Sequence, residues 1–218
     1  MLSVVIPALD AERTLGACLA ALGPVPDLIL VDGGSRDTTR EIARAAGARV
    51  IDSPRGRGVQ LAAGADAATQ AWLLFLHADT RLGHRWRSAA KAHIAERADI
   101  AGCFRFRLDD PAWQARAVER GVALRVKLLA LPYGDQGLLI SRALYDRVGG
   151  YRPVPLMEDV DLVRRVGRRR LSVLDAGALT SAERWRRDGW ARRSARNLAC
   201  LALHRIGMSE EKVARFYG

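Results

Sequence analysis

Long apolar runs are missing from this sequence. None approaches the ~18 residues of a membrane-spanning helix, so no helical span is expected in its 218 residues. Cysteine is scarce: Cys18, Cys103 and Cys200 stand far apart and form no C-x-x-C pair. That argues against a zinc site and for reduced, mostly buried thiols in a cytoplasmic protein. A basic region followed by a cleavable apolar segment is also lacking; the first strand is expected at Leu2, and no signal peptide is expected. No G-x-G-x-x-G follows that strand, which argues against a dinucleotide fold. Ser53-Pro54-Arg55-Gly56-Arg57-Gly58 runs into no Gly-Lys-Ser/Thr, so it is not a Walker A loop. Internal repeats and low-complexity tracts are absent.

Acid is in deficit. There are 24 Asp and Glu against 35 Lys and Arg, mostly Arg, for a formal charge of +11. This balance suits a phosphate-rich partner such as a nucleotide or an anionic lipid. Arginine also forms plain surface ion pairs, so charge alone does not choose, and no nucleic-acid partner is expected.

What is present suits one compact unit. The chain is 49% hydrophobic, ample for the core of one domain or one domain with an appendage. Residues 72–80 read WLLFLHADT. Such an apolar run, bounded by polar residues, is a buried strand of a parallel sheet. Its polar tail falls at the carboxyl end, the edge where open α/β sheets bind ligands. His77 and Asp79 are two apart and share one side of an extended chain. Upstream, strands are expected at 2–6, 28–31 and 49–51. Helices are expected at 13–22, from a Ser35 or Asp37 cap through 46, and at 59–70. Right-handed crossovers make this β-α-β-α-β-α-β order a parallel sheet.

The rest is mixed. Helices are expected at 85–97, 113–131, 141–148, 158–166, 188–206 and 209–216, with strands at 100–108, 138–140 and 171–174. Helix 113–131 is expected to bury in the core. With no boundary linker, the chain reads as a single domain: a donor half (1–80), an acceptor half (81–185) and a C-terminal helical segment (186–218).

Three strand-end loops would meet at one edge: 7–12, 32–35 and 77–80. Carboxylates converging there repel one another without a cation or ligand. A nucleotide suits them, since carboxylates accept from ribose hydroxyls and base N–H groups, and glycine lets the backbone approach. The alternative for Asp32 and Ser35 is simply to cap the next helix. Arg55 and Arg57 can serve phosphates at a helix start or stand as a solvated basic turn. Asp79 is the metal candidate, because hard divalent cations take carboxylate and phosphate oxygens; Mn²⁺ would also suit His77. Glu158 and Asp159 open a helix, where acids favour the macrodipole. Two adjacent carboxylates can also divide work, one orienting and one accepting a proton.

Together these residues resemble family-2 glycosyltransferases of GT-A fold. VVIPALDAE resembles that family's opening, VDGGSRDTT its V-D-D-G-S-x-D-x-T loop, LLFLHADT the strand ending in D-x-D, and MEDVDLVRR the E-D motif. Glu183-Arg184-Trp185 resembles the later Arg-Trp motif. Three departures stand out. Gly33 replaces a frequent second Asp, His77 stands at the first D of D-x-D, and no histidine follows Asp159 where relatives place a further metal ligand. The set VDGGS, RGRGxQ, HADT, PYGDQG and MEDVDL also resembles a small subgroup associated with arsenosugar biosynthesis. The resemblance implies a mostly parallel GT-A sheet flanked by helices. It implies an inverting, metal-dependent transfer of sugar from a nucleotide-sugar donor to an acceptor hydroxyl. Pro7, Ala8, Glu12, Asp32 and Gly34 would form the nucleoside side, and Arg57 would approach ribose or phosphate. Asp79 would hold Mn²⁺ or Mg²⁺ on the diphosphate, alone or joined by His77, whose alternative is to pack at the strand end and hydrogen-bond the backbone. Asp159 would be the general base beside Glu158. Gln136 and Trp185 would face the acceptor, a small molecule or a lipid.

Two other classes compete. A sugar-phosphate nucleotidyltransferase would carry a Gly-rich basic loop after the first strand, where this chain has ALDAE. A non-catalytic membrane-surface binder would use Arg184, Arg186, Arg187, Arg192, Arg193 and Arg196 beside Trp185, Trp190, Leu198 and Leu201. That stretch reads as a basic amphipathic helix on anionic lipid, a peripheral contact also compatible with catalysis, or as a cap over the acceptor site.

Overall fold

A computed structural model describes residues 2–154, 156–205 and 208. Eight strands, β1 (Leu2–Ala8), β2 (Asp27–Asp32), β3 (Arg49–Asp52), β4 (Trp72–Phe75), β5 (Thr80–Leu82), β6 (Ala101–Leu108), β7 (Leu138–Ser141) and β8 (Leu171–Thr180), form one sheet in the order β3-β2-β1-β4-β7-β6-β8-β5. Nine helices surround it among the described residues: α1 (Glu12–Leu22), α2 (Thr39–Ala45), α3 (Arg57–Ala67), α4 (Trp86–Glu96), α5 (Trp113–Leu129), α6 (Arg142–Arg147), α7 (Glu158–Val166), α8 (Glu183–Asp188) and α9 (Trp190–Arg205).

The β-α-β order of the first eighty residues gives the parallel array β3-β2-β1-β4. β7 then runs antiparallel to both β4 and β6, and β8 lies parallel to β6. The carboxyl ends of β1, β2, β4, β6 and β8 therefore share one edge with the start of β7. Alternate residues of each strand face opposite layers. Val4, Ile6, Leu28, Leu30 and Leu74 pack against α1 and α4 through Leu15, Leu19 and Trp86. Val5, Ile29, Val31, Leu73 and Ile140 pack against α3, α6 and α7 through Leu61, Leu144 and Leu162. Burying a side chain of this size contributes about 1.5–3 kcal/mol, and coverage on both faces explains why these strands read as unbroken apolar runs. Cys18, Cys103 and Cys200 are buried and free.

Several elements differ from the sequence reading. β5 was not expected; its three residues pair with β8, and three residues carry no readable period. β8 runs to Thr180 rather than ending at 174, because Asp175 and Gly177 interrupt its apolar alternation while it pairs with β6 across a register shift. α2 starts only at Thr39: Asp37 folds the preceding residues into a turn, accepting from Thr39 N at 3.0 Å and from Glu12 N at 3.0 Å. The single helix expected over 188–206 is preceded by a separate α8, broken from α9 at Gly189 (φ +82°). α5 buries only one side. Trp113, Leu124 and Leu128 on its outer side are 74%, 55% and 54% exposed, against the expected core burial. The helix expected at 209–216 lies outside the described residues.

Candidate active site

The shared strand edge opens as a cleft of ≈ 640 Å³. Its walls come from the end of β1 (Pro7, Ala8, Asp10), the tail of β4 (His77, Asp79), the loop before β7 (Tyr133, Asp135), and the first turns of α3 and α7 (Arg57, Glu158, Asp159). Thr180 at the end of β8, Arg184 and Trp185 of α8, and Arg193 of α9 close the far side. Topology alone brings these separated segments together.

Two of the three strand-end loops are bound to each other. Asp10 N donates to Ser35 Oγ (2.9 Å), Arg36 N to Asp10 Oδ1 (2.8 Å), and Ala11 N to Thr39 Oγ1 (2.7 Å). The Glu12 carboxylate accepts from Thr38 N and Oγ1 at 3.3 and 3.1 Å. Asp10 sits at φ +49°, a left-handed conformation that a short polar residue tolerates by bonding locally. Asp32 is buried with no exposed surface. Its oxygens accept from Gly34 N, Ser35 N, Ser35 Oγ and Arg40. Burial works to raise its pKa, but the Ser35 hydroxyl and the Arg40 guanidinium hold it below the usual carboxylate range. Glu12, Asp32 and Gly34 are accordingly not among the residues lining the cleft; they form the layer that shapes its β1 wall.

Arg57 opens α3, and its Nη1 lies 3.3 Å from Oε1 of Glu158, which is 2% exposed. Burial and the adjacent Asp159 push the Glu158 pKa up, with Arg57 opposing. The start of α3 is held close to the segment that leads into α7: a Cβ at Gly58 would meet the Arg152 carbonyl oxygen at 2.3 Å. Gln60, buried on α3, donates to the carbonyls of Ala8 and Val31 at 2.8 Å each, bracing β1 against β2. A Cβ at Gly33 would meet the Gln60 amide at 3.1 Å.

Asp159 Oδ2 accepts from Gly134 N at 2.6 Å, and Oδ1 accepts from Val160 N at 2.7 Å. Met157, just ahead of this pair, is held at φ +64°, a strained conformation of the kind found where side chains must be aimed. The His77 ring packs on Gly134, where a Cβ would lie 2.4 Å from Nε2. Burial, then the cations Arg57 and Arg184, push the His77 pKa well below the ordinary imidazole value, so His77 is neutral at pH 7.

Asp135 escaped the sequence reading. Its Oδ1 is buried without a hydrogen-bond partner. Burial lifts its pKa to about 7, with Asp159 and Asp79 adding to the rise and Arg125 opposing it. The only hint in the sequence is a carboxylate next to Gln136 in the PYGDQG loop, and spacing cannot say which of the two faces inward. Gln136, the expected acceptor residue, turns the other way: its Nε2 donates to the Phe104 carbonyl at 2.9 Å, and it is not part of the cleft lining. Trp185 does line the cleft, packed on Phe106 at 6.2 Å. Pro7, Ala8, Arg57, His77, Asp79, Glu158 and Asp159 all line the one cleft.

The donors suit a hard cation that arrives with a diphosphate. Asp79 lines the cleft, and His77 beside it is neutral. Among the described residues no three His, Cys, Asp or Glu side chains form a prebuilt metal cage.

A mostly parallel α/β sheet with a cleft at its carboxyl edge is the layout of the nucleotide-binding α/β folds. Staphylococcus aureus TarS 1-349, solved with UDP-GlcNAc, superposes with a TM-score of 0.65 at 17% identity, over 83% of this chain and 58% of that one. Glucosyl-3-phosphoglycerate synthase from Mycobacterium tuberculosis, solved with Mg²⁺ and uridine diphosphate, gives 0.58 at 21% identity, over 83% and 69%. Both likenesses show the GT-A fold. Residues 3–154 match the profile of Glycosyl transferase family 2, and the chain belongs to that family. A PGL/p-HBAD biosynthesis glycosyltransferase of Mycobacterium bovis is 40% identical over 93 residues, 38% of this chain and 36% of that protein. Glucosyl-3-phosphoglycerate synthase of Mycolicibacterium paratuberculosis is 47% identical over 55 residues, 23% and 17% of the two. The chain spans about a third or less of these curated relatives.

Proposed function

We propose that the chain is an inverting glycosyltransferase, moving a sugar from a nucleotide-sugar donor to an acceptor hydroxyl with a divalent cation, Mn²⁺ or Mg²⁺. The observation that carries this reading is the convergence of Asp79 and Asp159 on one cleft of a family-2 fold. Pro7 and Ala8 form the nucleoside wall, supported from behind by Asp32, Gly34 and Glu12. Asp79 would hold the cation, with His77 as a nitrogen donor, and the cation would supply Lewis-acid neutralisation of the diphosphate. Arg57, tethered by Glu158, adds positive charge where the leaving group gains negative charge.

Asp159 takes the proton of the acceptor hydroxyl as that oxygen bonds to the anomeric carbon. The bond from that carbon to the diphosphate oxygen breaks in line, inverting the configuration. Its hydrogen bonds to Gly134 N and Val160 N fix the carboxylate and leave lone pairs for the incoming hydroxyl. Asp135 and Trp185 form the acceptor wall, with Gln136 fixing the loop from behind. The acceptor is a small molecule or lipid. The chain divides into a donor half (1–80), an acceptor half (81–185) and a C-terminal segment (186–218), and falls in the arsenosugar-associated subgroup, which names no acceptor.

A thermal-shift screen of nucleotide sugars, each with and without Mn²⁺, tests the reading. The expected result is a rise in melting temperature only when the correct donor and the metal are both present. No response to any nucleotide sugar would count against it.

A further inference from the structure

We propose that the outer face of α5 is a docking surface for an anionic lipid bilayer. Trp113, Ala117, Gly121, Leu124 and Leu128 recur at intervals of four, four, three and four residues. At about 100° per residue they form one stripe about 80° wide along the helix. The opposite face, with Ala115, Glu119 and Val126, is buried. All the residues of the stripe are exposed, and Trp113, Leu124 and Leu128 are three of the six large apolar side chains most exposed among the described residues. A helix that anchors to its own domain on one side and presents Trp and Leu to solvent on the other needs a second apolar phase.

Charge selects the occupant. Glu119 is the only acid on α5, and it is buried against Arg107 and Arg116 at 2.9 Å each. Along one flank of the stripe stand Arg116, Arg120 and Lys127. Arg168 donates to the carbonyls of Leu128 and Lys127 at the C-terminal end, and Arg169 and Arg170 beside it are exposed. A second copy of this chain, related by a two-fold axis, would set these cations against their own copies. A flat, negatively charged headgroup layer accepts both the cations and the inserted side chains. No helix among the described residues is long and apolar enough to cross a membrane, so the contact is at the surface.

The C-terminal stretch marked as basic and amphipathic is a poorer candidate. Trp185, Arg193 and Leu201 are buried, and Leu198 is the one large apolar side chain exposed on α9.

Vesicle flotation tests the proposal without turnover, so its failure leaves the assignment of the cleft untouched. The probes are vesicles of phosphatidylcholine alone and of phosphatidylcholine mixed equally with phosphatidylglycerol. Wild-type protein is expected to float with the mixed vesicles only, and less so at high salt. L124S/L128S and, separately, R120E/K127E are expected to weaken partitioning at least about tenfold. Both pairs are exposed, so an unchanged circular-dichroism melting curve confirms the fold. Failure of wild type to float with mixed vesicles, or flotation indifferent to both pairs, overturns the proposal. So does a dimer in vesicle-free solution that L124S/L128S abolishes, since the occupant is then a second copy.

Discussion

Asp159 grips the backbone of the loop that carries Asp135: its Oδ2 accepts from Gly134 N at 2.6 Å. The same glycine is the floor on which His77 lies. One residue thus couples the tail of β4, the loop before β7 and the first turn of α7, three segments remote in sequence. Three of the cleft's polar side chains, His77, Asp135 and Asp159, depend on its position.

Asp159→Asn keeps the side-chain shape and an oxygen for Gly134 N but removes the proton acceptor. Turnover should fall about 10²–10⁴-fold, with donor affinity nearly unchanged. Steady-state kinetics beside calorimetric donor titration checks both halves. Wild-type turnover in this variant would remove Asp159 from the role.

Gly134→Ala places a methyl group 2.4 Å from His77 Nε2. Either the ring or the loop must move, at a loss of stability of about 1–3 kcal/mol, and the Gly134–Asp159 bond lengthens. Denaturant unfolding should show the loss, and kinetics a drop in turnover beyond what stability explains. A melting curve and rate equal to wild type would mean that this contact constrains nothing.

Asp135 makes stability depend on pH. Its pKa is about 7 in the fold against 3.8 for a free side chain, so between those values the folded state holds a proton that the unfolded state has lost. Stability contributed by the protonated carboxyl is therefore present at low pH and declines as pH rises from about 4 to 7. Asp135→Asn removes this slope and should be the more stable protein at pH 8, by up to about 4 kcal/mol. Urea unfolding of both proteins across that range decides it; parallel curves would contradict the buried-carboxyl account.

Asp27 has the opposite sign. Burial works against its charge, but Ser3, Thr69 and Arg49 donate to it and hold its pKa at about 2. Its stabilisation is present above pH 4 and is lost as pH falls from about 4 toward 2. Asp27→Asn should be about 2 kcal/mol less stable at neutral pH, with the difference vanishing in acid. A constant difference down to pH 2 would contradict it.

The parallel half of the fold was legible because buried strands such as 72–75 and 27–32 stand between helices with clear breaks. β5 and the second half of β8 were not, being too short or too interrupted for a period to show. In the site, residues at strand ends and helix starts were readable: Pro7, Arg57, Asp79, Glu158 and Asp159 are at the cleft because topology puts those positions there. Residues whose role depends on side-chain direction were not. Asp32 stands at a strand end yet turns into a cage of Ser35 and Arg40. Gln136 and Asp135 are neighbours facing opposite ways. The stripe on α5 is visible as a repeat, but a repeat cannot say whether it faces the core or the solvent.

On the proposed mechanism Asp79 brings a metal-bound nucleotide sugar to Asp159. Calorimetric titration of the donor found by thermal shift, into wild type and Asp79→Ala with and without Mn²⁺, tests it most directly. Metal-dependent binding is expected in wild type and none in the variant. Equal, metal-dependent binding by both proteins would contradict it.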